Sequence, residues 1–235
     1  FNLVSNDAGV SSLVFSGFVC PGPYNPLVKV KNYGTTALSS VTVSWSVNGV
    51  TQPDTAVTFT VALNQYQEGI VTLSSYTLSS TAYYNFKCWT KQPNASADGN
   101  ARNDTFKLNN ITTSFVGTYT IGSPGNYPSF NAALAALTAK GICGPVVFNV
   151  NPGTYTERLV IPVIPGASAT NTITFRGTNQ STVKITYAGS TTTLITTILF
   201  NGADYITFRN MTIQNTGATY SSAVYLIGQA DYNTI

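Results

Sequence analysis

Between Val41 and Val47 apolar and polar residues alternate strictly: Val41, Val43, Trp45 and Val47 are separated by Thr42, Ser44 and Ser46. That period of two marks a strand with one buried and one wet face. Asn48-Gly49, which follows directly, is a strong hairpin signal. Similar apolar runs at Val10–Phe15, Leu27–Lys31, Val57–Leu63, Gly69–Leu73, Tyr83–Trp89 and Phe106–Thr112 bring the strand candidates of residues 1–116 to about seven. Seven strands without a helix predict a β-sandwich.

The pattern changes at residues 125–161. Phe130, Leu134 and Leu137 fall at i, i+4 and i+7, the apolar stripe of a helix over residues 129–140, with Ser129 placed to cap its start and Gly141 to end it. Strands resume at Val146–Val150 and, past the turn Asn151-Pro152-Gly153, at Thr154–Ile161.

A repeat follows. Ile173-Thr174-Phe175-Arg176-Gly177 recurs 33 residues later as Ile206-Thr207-Phe208-Arg209-Asn210. Ala203-Asp204-Tyr205 recurs 27 residues later as Ala230-Asp231-Tyr232. Short strands at this period predict a solenoid of stacked rungs, a right-handed parallel β-helix over residues 117–235. Ile173 is expected to stack on Ile206, with Phe175, Phe208 and Ile235 in one inward ladder and Thr174, Thr207 and Thr234 in an outward one. An open first rung would expose strand edges, so the 129–140 helix is expected to cap it. Residues 114–123 are expected to be a brief connector. The fold class is thus all-β, an Ig-like sandwich followed by the capped first rungs of a β-helix.

Composition narrows the chemistry. Charged residues are 8% of the 235, and the net charge of +3 comes from scattered basic residues. The surface must therefore be built of Thr, Ser, Asn and Gln, which suits a secreted protein meeting polysaccharide and gives no nucleic-acid footprint. Histidine is absent, removing the commonest general base and metal ligand. No run approaches the length that spans a bilayer as a helix. The chain starts without Met and finishes within a repeat, so it is expected to be a piece of a longer processed protein.

Of the three cysteines, Cys20 and Cys88 are expected to pair, tying the start of the sandwich to its penultimate strand and contributing about 4 kcal/mol in the chain-entropy account. Cys143 would then be a buried thiol. Cys20…Trp45…Cys88 has the order of an immunoglobulin domain, but the first gap is too long. Phe86 rather than Tyr stands two residues before Cys88, so no tyrosine corner is expected. Asp98, Asn100, Asn103 and Asp104 share one loop and offer oxygens to Ca²⁺, against the simpler reading of an Asx-rich turn. Trp45 and Trp89 read as packing residues, Arg176 and Arg209 as covers of the rung edges. Tyr220, Tyr225 and Tyr232 are candidates for a glycan-binding surface.

Two resemblances add to this reading. The segments NDAGV, VKVKNYGTTALSSVTVSWSVNG and KCWTKQPNASADGNARNDT resemble adhesion-type Ig-like modules of the CARDB kind in large surface proteins of Bacteroidetes-type bacteria. That implies export by the type IX route, partners in the secretion or anchoring machinery, and, at Asp54-Thr55-Ala56, an O-glycosylation acceptor on Thr55. Gly153-Thr154-Tyr155-Thr156-Glu157, ITFRGTNQSTVKIT, ITFRNMTIQNTG and SSAVYLIGQADYNTI are similar to the pectin-lyase-like superfamily, most of all to pectin methylesterases. In that family a Gln, aligned here with Ser222, helps hold the oxyanion; the other catalytic groups would lie beyond Ile235, and Glu157 and Asp231 match structural positions. The expectation is a secreted or cell-surface fragment, non-catalytic, without cofactor, for adhesion, display or polysaccharide binding. The alternative is the first part of a carbohydrate-active enzyme of esterase or lyase type.

Overall fold

In the computed structural model the described residues are 4–14, 19–80, 82–190, 195–219 and 221–235. Phe15 of the first expected strand and Tyr220 of the expected glycan surface lie outside them. The chain forms two compact units, Phe1–Thr113 and Ser114–Ile235.

The first unit contains β1 (Ala8–Val14), β2 (Gly22–Tyr24), β3 (Leu27–Asn32), β4 (Leu38–Val47), β5 (Val50–Thr51), β6 (Thr55–Leu63), β7 (Glu68–Thr72), β8 (Tyr76–Leu78), β9 (Tyr83–Lys91) and β10 (Thr105–Thr112). One sheet has the order β1-β3-β7; the other runs β10-β9-β4-β5, with β6 also beside β4. All pairings within these two sheets are antiparallel. Alternation decides what is buried. Val41, Val43, Trp45 and Val47 of β4 meet Val28, Val30, Val71 and Phe86 in one apolar core, where Trp45 stacks on Phe86 at 6.5 Å and its indole N–H donates to Pro53 O. The turn after β4 has Asn48 and Gly49 at φ 50° and 82°, the left-handed pair that a two-residue hairpin requires. A tyrosine-corner contact exists after all, two residues earlier than expected: the Tyr84 hydroxyl accepts from Ser79 N at 2.5 Å.

The second unit contains β11 (Phe115–Ile121), α1 (Phe130–Lys140), β12 (Ile142–Val150), β13 (Gly153–Thr156), β14 (Leu159–Pro162), β15 (Ile173–Gly177), β16 (Val183–Tyr187), β17 (Thr196–Asn201), β18 (Ile206–Arg209), β19 (Thr212–Asn215) and β20 (Ser222–Ile227). Three parallel sheets, β11-β12-β15-β18, β13-β16-β19 and β14-β17-β20, build a β-solenoid of about four turns. The segment expected as a connector is largely β11, paired in parallel with β12. The 33-residue repeat is the rung: Ile173 pairs with Ile206, Thr174 with Thr207 and Phe175 with Phe208. Phe148, Phe175 and Phe208 stack inward at 5.1 and 4.7 Å. Ile235 does not extend that ladder: it is 60% exposed, and the ladder instead continues the other way, to Phe148. Thr207 bridges Thr234 in parallel, as the outward ladder requires.

The helix is fixed at both ends. The Ser129 side chain accepts from Ala132 N, and Gly141 ends it at φ 63°. Glu157, from the turn after β13, adds both carboxylate oxygens, accepting from Phe130 N at 3.2 Å and Asn131 N at 2.8 Å; an anion there also meets the positive end of the helix dipole. Phe130, Ala133, Leu134 and Leu137 are buried in the solenoid core, and Phe130 reaches Tyr155, Phe175 and Phe208.

The expected Cys20–Cys88 pairing is wrong. Cys88 is a free, buried thiol, whereas Cys20 and Cys143 are disulfide-bonded. The reason lies in the alternation of β9: Cys88 is an inward position, directly opposite Trp45 and sealed in the core, while Cys20 lies exposed outside any strand. Cys143, expected as the buried thiol, is half-buried, in the stretch where β12 shifts register against β11. Burial pushes the Cys88 thiol up to about 12, far from the thiolate that reacts. Without reductant, a maleimide should therefore label no cysteine in the folded chain and one, Cys88, after denaturation. Peptide mapping by mass spectrometry checks this; native labelling of Cys20 or Cys143 would contradict it.

Candidate functional site

The solenoid repeats a tripeptide at one turn on two successive rungs. Asp204 and Asp231 are brought together, Asp231 N donating to Asp204 Oδ1 at 2.6 Å. Tyr205 and Tyr232 stack with ring centroids 5.0 Å apart and planes 2° from parallel. Both tyrosines are left-handed, at φ 59° and 55°, a conformation that costs a non-glycine residue on the order of 1 kcal/mol. Asn233 secures the turn, donating to Ala203 O at 2.7 Å and accepting from Ile206 N at 3.0 Å. Tyr232 is 75% exposed, so the pair offers solvent an aromatic surface. Of the expected glycan-facing tyrosines, Tyr225 is 53% exposed but sits on β20, opposite Leu199, and no described ring contact joins it to Tyr232. The partner of Tyr232 is Tyr205, which sequence reasoning passed over although the Ala-Asp-Tyr repeat contains it.

Glu157, Asp204, Ser222 and Arg176 each make a structural contact. Glu157 holds the helix, and Asp204 holds the backbone of the next rung. Ser222, aligned with the family's Gln, donates its hydroxyl to Val224 O at 3.1 Å. Arg176 donates through Nε and Nη2 to Asn149 Oδ1 at 3.0 and 2.6 Å, tying two adjacent rungs on the outer face rather than covering a strand edge.

In the first unit the Asx-rich loop works as a turn. Asp98 Oδ1 accepts from Asn100 N at 2.9 Å and its Oδ2 from Ala8 N at 3.1 Å, while Asn103 donates to Asp7 Oδ1 at 2.9 Å. Both oxygens of Asp98 thus hold backbone, while Asn103 Oδ1 and Asp104 Oδ1 are buried without a hydrogen-bond partner. Among the described residues no three His, Cys, Asp or Glu side chains are grouped to hold a metal ion. Thr55 opens β6, half-buried and opposite Val43. Trp45 is core; Trp89 is half-buried on the outer face of β9. Among the described residues no helix is long and apolar enough to cross a membrane.

No family model matches the chain, and no curated protein does. Solved structures do. A domain of a Methanosarcina acetivorans protein assigned to the cell surface is 24% identical, covering 48% of this chain and 96% of its own, at a TM-score of 0.40. The CARDB domain of a Pyrococcus furiosus protein, solved in complex with di-metal ions, is 18% identical, covering 48% and 97%, at 0.38. A pectin methylesterase from Aspergillus niger is 25% identical, covering 51% of this chain, at 0.38. The chain spans about 41% of that esterase's length.

The loop has one electrostatic consequence. Burial, then the neighbouring charges of Asp98 and Asp7, push the Asp104 carboxyl up to about 6. Its folded value lies above the ordinary one of 3.8, so between those values the folded chain binds a proton that the unfolded chain does not. Stability must then fall as pH rises through 6. Histidine, the usual side chain titrating in that window, is absent. The thermal midpoint of the first unit's transition should be higher at pH 5 than at pH 7.5, and D104N should flatten that difference. An unchanged pH slope in D104N would contradict this origin.

Proposed function

We propose that this chain is a non-catalytic, polysaccharide-facing portion of an exported surface protein. The observation that carries the reading is the commitment of two of the solenoid's three carboxylates: Glu157 accepts from two helix N–H groups and Asp204 from the next rung. A surface of Thr, Asn and stacked Tyr, with 8% charged residues in the whole chain, can hydrogen-bond and stack on sugar rings without turning them over. The second reading makes the chain the first part of a carbohydrate-active enzyme whose catalytic groups are supplied from outside residues 1–235. It is favoured by the order of motifs along the rungs.

Incubation with methylated and demethylated galacturonan, followed by methanol release and ultraviolet absorbance of unsaturated ends, tests the proposal. No turnover is expected, together with retardation of the chain on at least one immobilised polysaccharide. Turnover abolished by D204N, D231N or S222A would overturn the non-catalytic reading. Turnover only in a longer chain, absent from this one, would support the second.

A further inference from the structure

On β9 the alternation that buries Phe86 and Cys88 turns Lys87, Trp89 and Lys91 to the opposite, outer face. The two ammonium groups flank one indole: Lys87 Nζ lies 4.7 Å and Lys91 Nζ 5.7 Å from the Trp89 ring centroid. Across the ladder, Lys107 of β10 stands directly opposite Lys87, and directly opposed like charges destabilise a sheet. Lys91 has an acidic partner, Asp54, at 3.4 Å; Lys87 and Lys107 make no ion pair with any described residue. Trp89 itself faces Ser44 on β4, which is fully buried and whose hydroxyl has no protein partner. Trp89 is itself half-buried there.

We propose that this outer face, with Lys87, Lys107, Lys91 and Trp89, docks an anionic polysaccharide; the proposal rests on the reading of the chain as polysaccharide-facing and names the polymer class. Charge complementarity selects the occupant. An acidic group placed between Lys87 and Lys107 removes the repulsion of the opposed pair, and the Trp89 indole, by holding the Lys87 and Lys91 ammonium groups, fixes where those charges stand. Lys87 and Lys107, with Lys91 beside them, offer a few localised contacts to the acidic groups of a glycan and not the long basic track that the phosphates of a duplex require, in a chain of net charge +3.

The test is binding of the full chain to heparin, hyaluronan, dextran and a short DNA duplex at several NaCl concentrations, with K87Q/K107Q and W89F compared against R176Q on the solenoid. The expected result is binding to heparin or hyaluronan that weakens with salt. K87Q/K107Q should weaken it by about tenfold or more at low salt with a shallower salt slope. W89F should weaken it less, and R176Q not at all. Heparin and hyaluronan together separate sulfate from carboxylate as the recognised group, and an unchanged circular dichroism spectrum certifies the variants. Equal binding of K87Q/K107Q, or tighter binding of DNA than of either glycan, would overturn the proposal. Binding to dextran alone would overturn it while leaving the polysaccharide-facing reading intact; binding to no polymer would sink both.

Discussion

The second unit depends on one constraint, the parallel register that sets Phe148, Phe175 and Phe208 on top of one another. Register of Val146 with Ile173 and of Ile173 with Ile206 leaves the ring centroids 5.1 and 4.7 Å apart, with planes within 16° of parallel. Burying each phenylalanine contributes roughly 2–3 kcal/mol, and each offset aromatic pair adds about 0.5–1.5 kcal/mol. A slip of one residue would send all of these rings to solvent and the threonines inward. The helix joins the same stack through Phe130, and Glu157 fixes the helix to the turn after β13, so the end cover and the rungs are parts of one packing arrangement.

The same register decides what faces water. Successive rungs carry the same turn, so Asp204 meets Asp231 and Tyr205 meets Tyr232 with no further design than repetition. Repetition also consumes chemistry. A carboxylate that accepts the backbone N–H of the next rung, as Asp204 does, has a structural occupation. Surface recognition by stacking and hydrogen bonding, the role proposed for this chain, demands much less of the residues. The sandwich is organised by the other alternation, inward Trp45 and Phe86 against outward Lys87 and Trp89 on adjacent strands.

Much of this was legible in the sequence. ITFRG and ITFRN showed the rung because both inward and outward residues recur. The rung before them was hidden: Val146 and Phe148 match Ile173 and Phe175, but the outward Val147 and Asn149 differ from Thr174 and Arg176. Only the inward half of the pattern is under packing constraint there. The helix was legible from three apolar positions and a serine; its Glu157 cap was not, because the contact joins residues 26 and 27 apart. Cysteine order misled. Strand alternation placed Cys88 inward, yet nothing in sequence order says which thiols meet. Of the candidate glycan surface, exposure of Tyr225 and Tyr232 was readable, whereas their separation onto a sheet and a turn is a property of the wound chain.

Chemical denaturation of F175A beside T174V tests the register most directly. Phe175 is the middle ring of the stack, and its truncation should destabilise the second unit by about 3–5 kcal/mol. Thr174, one residue away on the outer face, should tolerate Val within about 0.5 kcal/mol. Comparable losses from the two substitutions, or a near-neutral F175A, would contradict the stacked-rung account.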